Sequence, residues 1–294
     1  MLKISVFAAA MSYLFLADAA YVINKTSTMA EDDSIVTNII NGKNALRSEY
    51  PFITQLFFTK DGENFQFACT ASLITPKYIL TAAHCVNTDK RTPLPTSGFK
   101  VMVGSTSLVS GEDIKKLIPV AEVFNFGFLE NENNDIALLR LENPIPESMA
   151  TPVKVYPYKI QDNLPVEVAG FGITTSGASK PSDVLLKTSI KLSSSSNCSQ
   201  FNEGWKSNSG NMFCSESYNG NDSCQGDSGG PIVALLNKKR VIAGVTSFGT
   251  NKDSKSEVVC GENVVAYYTR VAFFLPQIAK IIGVPANSLY EVLK

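Results

Sequence analysis

Histidine is almost missing from this chain: its 294 residues hold one, His84. With a single imidazole and no C-x-x-C pair, the six cysteines are poorly arranged for a zinc site. Charge is sparse as well. Asp, Glu, Lys and Arg make up 18% of the residues, the formal net charge is −1, and neither sign forms a block. That pattern argues against a nucleic-acid partner or a charged membrane face. Beyond the N-terminus no apolar run approaches the ~20 residues needed to span a bilayer. There is no internal repeat, and only "AFFLPQIAKII" near the C-terminus carries apolar residues at helical spacing.

Short strands fill most of the remainder. From Ile39 onward, runs rich in Val, Ile, Phe and Thr are broken by Gly, Pro, Asn and Ser. They include "FITQLFF", "SLITPKYILTAAH", "VMVGS", "DIALLRL", "VEVAGFG", "PIVALL" and "RVIAGVTSFG". This spacing predicts an all-β sandwich or barrel. "LLNKKRVIAGV" predicts two strands joined at Asn237–Lys239, with the basic cluster at a solvated tip, and "SSSS" at 193–196 reads as a loop before Cys198. A hydrophobic fraction of 44% suffices for one large core or two smaller ones.

The N-terminus has the layout of an export signal. Lys3 precedes the apolar "ISVFAAAMSYLFLA", and Ala17-Asp18-Ala19 supplies small residues for cleavage after Ala19. Residues 1–19 are therefore expected to be a signal peptide. Residues 20–38, polar and aperiodic, are expected to be a propeptide. A signal anchor is the alternative, against which the apolar run is short. In a secreted chain, the even set Cys69, Cys85, Cys198, Cys214, Cys224 and Cys260 predicts three disulfides, with their pairing left open. Sequons occur at Asn24, Asn197 and Asn221.

Three segments carry chemistry. His84 sits in "LTAAHC", Asp135 opens the apolar run of "NNDIALL", and Ser228 lies in "GNDSCQGDSGGP", residues 220–231. Alone, each has a bland reading: a structural histidine, a strand-end Asp, a tight glycine turn. Together they supply what nucleophilic catalysis needs. Serine requires an adjacent base, imidazole is suited to that task near neutral pH, and a carboxylate fixes the tautomer. Gly226 and Gly229 let the backbone approach a reacting carbonyl, and the N–H groups of Gly226 and Ser228 can then point at a developing oxyanion.

"TAAHC", "NNDIALL" and "GDSGGP", in that order, resemble the chymotrypsin/trypsin family of serine proteases, from about Ile39 to about Ile282. The resemblance implies two antiparallel six-stranded β-barrels with a C-terminal helix. The barrels are expected at 39–150 and from 151 to the end at 294, with the cleft between them. His84 would be general base and then acid, Asp135 its orienting carboxylate, and Ser228 the nucleophile. Ser247, Phe248 and Gly249 would line the substrate. The family pairs Cys69 with Cys85, Cys198 with Cys214, and Cys224 with Cys260. A further family bridge is missing, its positions falling on Val166 and Ala234. No metal or cofactor is implied, and "GSTSLVSGED", where the family has a calcium loop, keeps few carboxylates.

Specificity follows from the same resemblance. Asp222, six positions before Ser228, falls at the floor of the slot in members that cleave after Lys or Arg. The departure is Ala266 in "VVAYYTRV", where the family has Gly; its methyl would narrow the slot and favour Lys over the wider guanidinium of Arg. The long "TNKDSKSEVVC" loop rims the slot, and Asn221 beside the floor is expected to escape glycosylation. At the start, Ile39-Ile40-Asn41-Gly42 lies in register with the family's mature N-terminus, so cleavage after Asn38 would free an amine to pair with Asp227. No Lys or Arg lies between Lys25 and Ile39. The enzyme would therefore not cut itself, and a protease acting in trans is expected.

The reading is thus a secreted zymogen-type endopeptidase acting on protein or peptide substrates. Protein inhibitors are its other expected partners, with neither nucleic acid nor membrane after signal removal. Two alternatives stand beside it: a catalytically silent homologue serving as a binding protein, and an active protease of non-basic specificity. The intact His84, Asp135 and Ser228 argue against the first.

Overall fold

The computed structural model describes residues 39, 42–175, 177–217 and 220–293. The expected signal peptide, the propeptide and Asn38 lie outside them. Strand β1 (Lys43–Asn44) is followed by β2 (Ile53–Phe58), β3 (Gln66–Thr75), β4 (Tyr78–Thr81), β5 (Phe99–Val103), β6 (Ile118–Asn125) and β7 (Ala137–Leu141). The last six close into a barrel in the order β2-β3-β4-β7-β6-β5, every pair antiparallel. Period-2 burial shows in β5, where Phe99, Val101 and Val103 are buried and Lys100 and Met102 are not, as expected of a strand with one face on a core.

A second sheet uses β8 (Val166–Gly170), β9 (Leu186–Ile190), β10 (Leu192–Ser193), β11 (Met212–Glu216), β12 (Pro231–Leu236), β13 (Lys239–Asn251) and β14 (Val264–Arg270). Its order is β1-β9-β8-β12-β13-β14-β11-β10. The two-residue β1 and β10 extend its edges, leaving six longer strands as the half-barrel counterpart of the closed barrel. β12 and β13 join through Asn237 and Lys238 at φ +52° and +62°, a two-residue turn with left-handed backbone at both positions.

Both chain ends cross over. β1 precedes the closed barrel in sequence yet pairs with β9 of the second sheet. Nearby, Lys187 and Arg240 form ion pairs with Glu49 and Glu167, and Tyr50 Oη donates to Glu167. At the other end, helix α2 (Val271–Ile282) follows β14 but buries Phe274, Leu275 and Ile278 in the core shared with Tyr50, Phe52 and Leu56 of the closed barrel. Gly283, at φ +78°, caps it by donating to Ala279 O. The tail beyond α2, unexplained by the sequence, lies along residues 155–158. Val155 N donates to Leu289 O, Glu291 N to Val155 O, and Leu293 N to Tyr158 Oη. It also meets the hairpin tip, where Asn237 Nδ2 donates to Val292 O.

The serine run differs from expectation. Ser194 and Ser195 are loop as expected, but Ser193 ends β10 and Ser196 opens a short helix, α1 (Ser196–Gln200). Ser195 Oγ accepts from Asn197 N at 3.2 Å, the capping contact for which serine is favoured. The three disulfides join Cys69–Cys85, Cys198–Cys214 and Cys224–Cys260, the pairs implied by the resemblance. Val166 and Ala234 stand directly opposite each other on β8 and β12.

Cα atoms of directly opposed antiparallel residues are ~4.5–5.5 Å apart, within reach of a disulfide. The double variant Val166→Cys/Ala234→Cys should therefore form a fourth bridge and stabilise the fold by ~2–4 kcal/mol. Thiol titration and the shift in Tm between reduced and oxidised protein check this. Two free thiols after oxidative folding would refute the register.

Candidate active site

The site assembles where the two sheets face each other. His84 lies in the single helical turn Ala83–Val86 that ends β4, pinned by the Cys69–Cys85 bridge. Asp135 directly precedes the run into β7, and its carboxylate is almost wholly buried. Ser228 is on the loop between β11 and β12, with Asp222, Gly226 and Asp227.

Asp135 is held from every side. His84 Nδ1 lies 2.7 Å from Oδ2, and His84 N donates to Oδ1 at 2.8 Å. Ser247 Oγ donates to Oδ2 at 2.5 Å, and Thr269 Oγ1 donates to the Asp135 carbonyl at 2.7 Å. Ser247 reaches inward because β13 bulges there: Thr246 and Phe248 pair with consecutive residues of β14, leaving Ser247 as the extra residue. Two further contacts fix the loop before Asp135, from Asn211 Nδ2 to Asn133 O and to Asn134 Oδ1. Thr269 and Asn211 were not singled out from sequence; isolated polar residues in strand and loop give no periodic signal.

Electrostatics follow from that cage. Burial pushes the Asp135 carboxyl up, but the His84 charge and the hydrogen bonds from His84 and Ser247 outweigh it and hold the group below its ordinary range. For His84, burial pulls the imidazole down, and the Asp135 charge and hydrogen bond more than reverse that, leaving it raised. With Asp135 ionised, Nδ1–H is the donor and Nε2 remains a proton acceptor. Nε2 lies 3.7 Å from Cys85 Sγ, and no hydrogen bond joins it to Ser228 Oγ, a contact that commonly tightens only when substrate binds.

The backbone around Ser228 is arranged for an anion. Gly226 has φ +94°, a conformation that favours glycine, and a Cβ there would come within 2.9 Å of Gly172 Cα. Among the described residues the N–H groups of Gly226 and Ser228 donate to nothing, while those of Asp227, Gly229 and Gly230 are engaged. Two free donors beside a serine hydroxyl are what an oxyanion site requires.

Asp222 and Asp227 are buried carboxylates with no cation beside them among the described residues. Asp222 accepts from Ser223 N, Gly261 N and Ser217 Oγ, yet burial pushes it up to about 6. Asp227 accepts from Gly172 N at 2.8 Å and Cys224 N at 2.9 Å, and burial pushes it up to about 7. Gly172 is required there, since a Cβ would fall 2.5 Å from that carboxylate. Ile39 is fully buried among Val168, Leu186 and Ile232 of the second sheet. Gly249 and Ala266 are direct partners on β13 and β14, and Phe248 stacks on Tyr267 at 4.9 Å. Ala266 shares its strand face with the buried Tyr268.

A family model described as Trypsin matches residues 39–278. The chain is 33% identical over 217 residues to "Trypsin, alkaline B" of Manduca sexta, covering 72% of this chain and 80% of that one. It is 31% identical over 219 residues to Trypsin-1 of Astacus astacus, covering 72% and 89%. Among solved structures, neuropsin, a serine protease expressed in the limbic system of mouse brain, superposes with a TM-score of 0.65 at 25% identity. That match covers 82% of this chain and 98% of neuropsin.

If His84 works as a base in its neutral form, its raised pKa places the acid limb of kcat/KM above the ordinary ~6.5 of imidazole. Asp135→Asn removes the charge that raises it. The limb should then move to lower pH while the rate falls by ~10⁴. A pH–rate profile of both proteins checks the pair of effects; an unmoved limb would dismiss Asp135 as the cause.

Proposed function

The chain belongs to the trypsin family, and we propose that it is a secreted serine endopeptidase, made as a precursor, that cleaves after basic residues and prefers Lys to Arg. In this reading Ser228 Oγ attacks the scissile carbonyl as His84 Nε2 takes its proton. The N–H groups of Gly226 and Ser228 hold the oxyanion. His84 then protonates the leaving amine, and water releases the acyl group from Ser228 by the same steps.

The observation that carries the specificity is Asp222. It is 2% exposed, has only neutral donors around it, and is pushed up to about 6 by burial. A buried carboxylate in that state is relieved by a cation brought in by a ligand. Ala266, 3% exposed, presents a methyl on the strand face that also carries Tyr268. Opposite it, the Val259 carbonyl crowds Gly249 so closely that a Cβ there would fall within 2.2 Å. A slot tightened on both sides suits an ammonium on a slim stem better than a planar guanidinium.

Asp227 supports the precursor reading. Its carboxylate is wholly buried and lacks a cation among the described residues, while Ile39 is already packed in the second sheet's core at φ +52°. That backbone conformation is costly for a β-branched residue. Cleavage after Asn38 would release it and create an amine able to pair with Asp227. The absence of Lys or Arg between Lys25 and Ile39 assigns that cut to another protease with asparagine preference. Three disulfides fit an exported protein, and no helix among the described residues is long and apolar enough to cross a membrane.

Matched peptide substrates should show kcat/KM higher for Lys than for Arg by ~10-fold. Ala266→Gly should raise Arg cleavage by a similar factor, the scale of one methyl in a pocket. Arg preference in the parent, or cleavage after Phe or Leu, would sink this reading. Failure to label Ser228 with a fluorophosphonate would favour a binding protein instead.

Maturation predicts a pH effect with a definite sign. In the uncleaved chain the folded pKa of Asp227, about 7, exceeds the ordinary carboxylate value, so its contribution is fully present below ~4 and is lost as pH rises through about 7. The precursor should therefore lose ~4 kcal/mol from this group between pH 4 and pH 8. The enzyme beginning at Ile39 should lose much less. Thermal unfolding of both forms across that range, with N-terminal sequencing, checks it. A mature start elsewhere, or parallel pH curves, would contradict the proposed pairing.

A further inference from the structure

Thr70 follows Cys69 on β3, is fully buried, and takes no part in the reaction written above. Two of its polar groups face the loop that carries the oxyanion donors. Its Oγ1–H donates to Gly226 O at 2.8 Å. Its N–H is shared between Gly226 O at 3.1 Å and Ser228 O at 3.0 Å. The same Oγ1 accepts from Phe171 N at 3.3 Å, and the next residue, Gly172, donates its N–H to Asp227. On the other side, Thr70 O accepts from Thr81 Oγ1, three residues before His84.

We infer that Thr70 is a positioning residue that aims the oxyanion donor of Gly226 through a hydroxyl clamp on that residue's carbonyl. Gly226 has no side chain to hold its torsions, and at φ +94° it is free of the wells that confine other residues. Its carbonyl has two lone pairs, and Thr70 engages it with both its amide and its hydroxyl. The Asp227 amide holds one end of the peptide plane after Gly226 by donating to Cys224 O, and the Thr70 amide alone would leave the carbonyl end on one contact. The hydroxyl supplies a second, anchored to the Phe171 segment. The preceding plane is held by Ile173 N donating to Gln225 O, so with both planes fixed the Gly226 N–H between them keeps its direction. Preorganised donors stabilise a transition state because they do not reorient during reaction.

The inference rests on the protease reading, and the test separates the two. Thr70→Val keeps the shape and the amide but deletes the hydroxyl; Thr70→Ser keeps the hydroxyl. In the processed enzyme, Thr70→Val should lower kcat ~10-fold with KM changed less than ~2-fold, and Thr70→Ser should recover most of the rate. A peptide aldehyde, which forms an oxyanion on Ser228, should bind Thr70→Val ~10-fold more weakly, while n-butylammonium, which needs only the slot, should bind unchanged. A purely structural role would weaken both ligands or neither. Thr70→Val with unchanged kcat and aldehyde affinity would overturn the clamp alone. A parent enzyme that turns over no substrate would overturn the protease reading and the clamp with it. Should Thr70→Val not fold, Thr70→Ala under the same two inhibitors decides the question by the same criterion.

Discussion

Two carboxylates buried without a cation beside them among the described residues set the terms for this molecule. Asp222 and Asp227 lie on one loop, each supplied there with neutral donors, and burial raises both well above the ordinary range. The charge of Asp222 also raises Asp227, so the two oppose each other's ionisation. A fold keeps such groups only when something repays their desolvation. In the proposed reading each awaits a different cation, one from the substrate and one from the chain's own cut end. The loop that holds both also carries Ser228 and the free N–H groups of Gly226 and Ser228, so in that reading whatever neutralises either carboxylate acts on the backbone beside the proposed nucleophile.

The triad carboxylate is handled in the opposite way. Asp135 is also buried, yet it is surrounded by charge and hydrogen-bond donors and ends below its ordinary range. Its supports come from both sheets: His84 from the closed barrel, Ser247 and Thr269 from the half-barrel. The oxyanion loop is likewise cross-braced, since Thr70 of the closed barrel grips Gly226 of the other half. Each chemical element of the site is thus carried by one sheet and oriented by its neighbour. This explains why its parts are far apart in sequence and why the loops, with little regular structure of their own, hold defined positions.

How much of this was legible beforehand depends on the kind of signal involved. The segments around His84, Asp135 and Ser228 were readable because they are local motifs with fixed residue types at fixed spacing, and the disulfide pairs only through the family resemblance those motifs carry. The all-β class was readable from short β-branched runs, and the hairpin at Asn237–Lys238 from its turn residues. Contacts across sheets were not. Thr70, Thr269 and Asn211 are single polar residues whose importance comes from partners 156, 134 and 78 positions away. No periodicity encodes such pairs. The five-residue helix α1 gave no signal, because it is too short for a periodic pattern and its cap, Ser195, lies in a serine run that reads as loop. The C-terminal tail had no motif at all, and its place is set by backbone pairing to Val155.

That tail points to how the cleft is kept rigid. A site divided between two sheets would suffer from any sliding between them, because a misplacement near 1 Å can cost two orders of magnitude in rate. The chain ends add a constraint. The N-terminal β1 belongs by sequence to the closed barrel but pairs in the other sheet, beside the Glu49, Glu167, Lys187 and Arg240 ion pairs. The C-terminal α2 buries Phe274, Leu275 and Ile278 in a core that draws on both sheets, with Phe274 edge-on to Phe126 ahead of β7 and Val245 of β13 in the same cluster. The two halves are therefore joined at both ends, and the tail after α2 is tied to the segment that connects them. Moving one sheet against the other would expose buried aromatic and aliphatic surface at both ends at once, at ~25 cal/mol for every Å². On this argument a substrate of the proposed enzyme meets a cleft whose walls are fixed before it arrives, the loop from Gly220 to Gly230 included, since Thr70 and Gly172 hold it from outside.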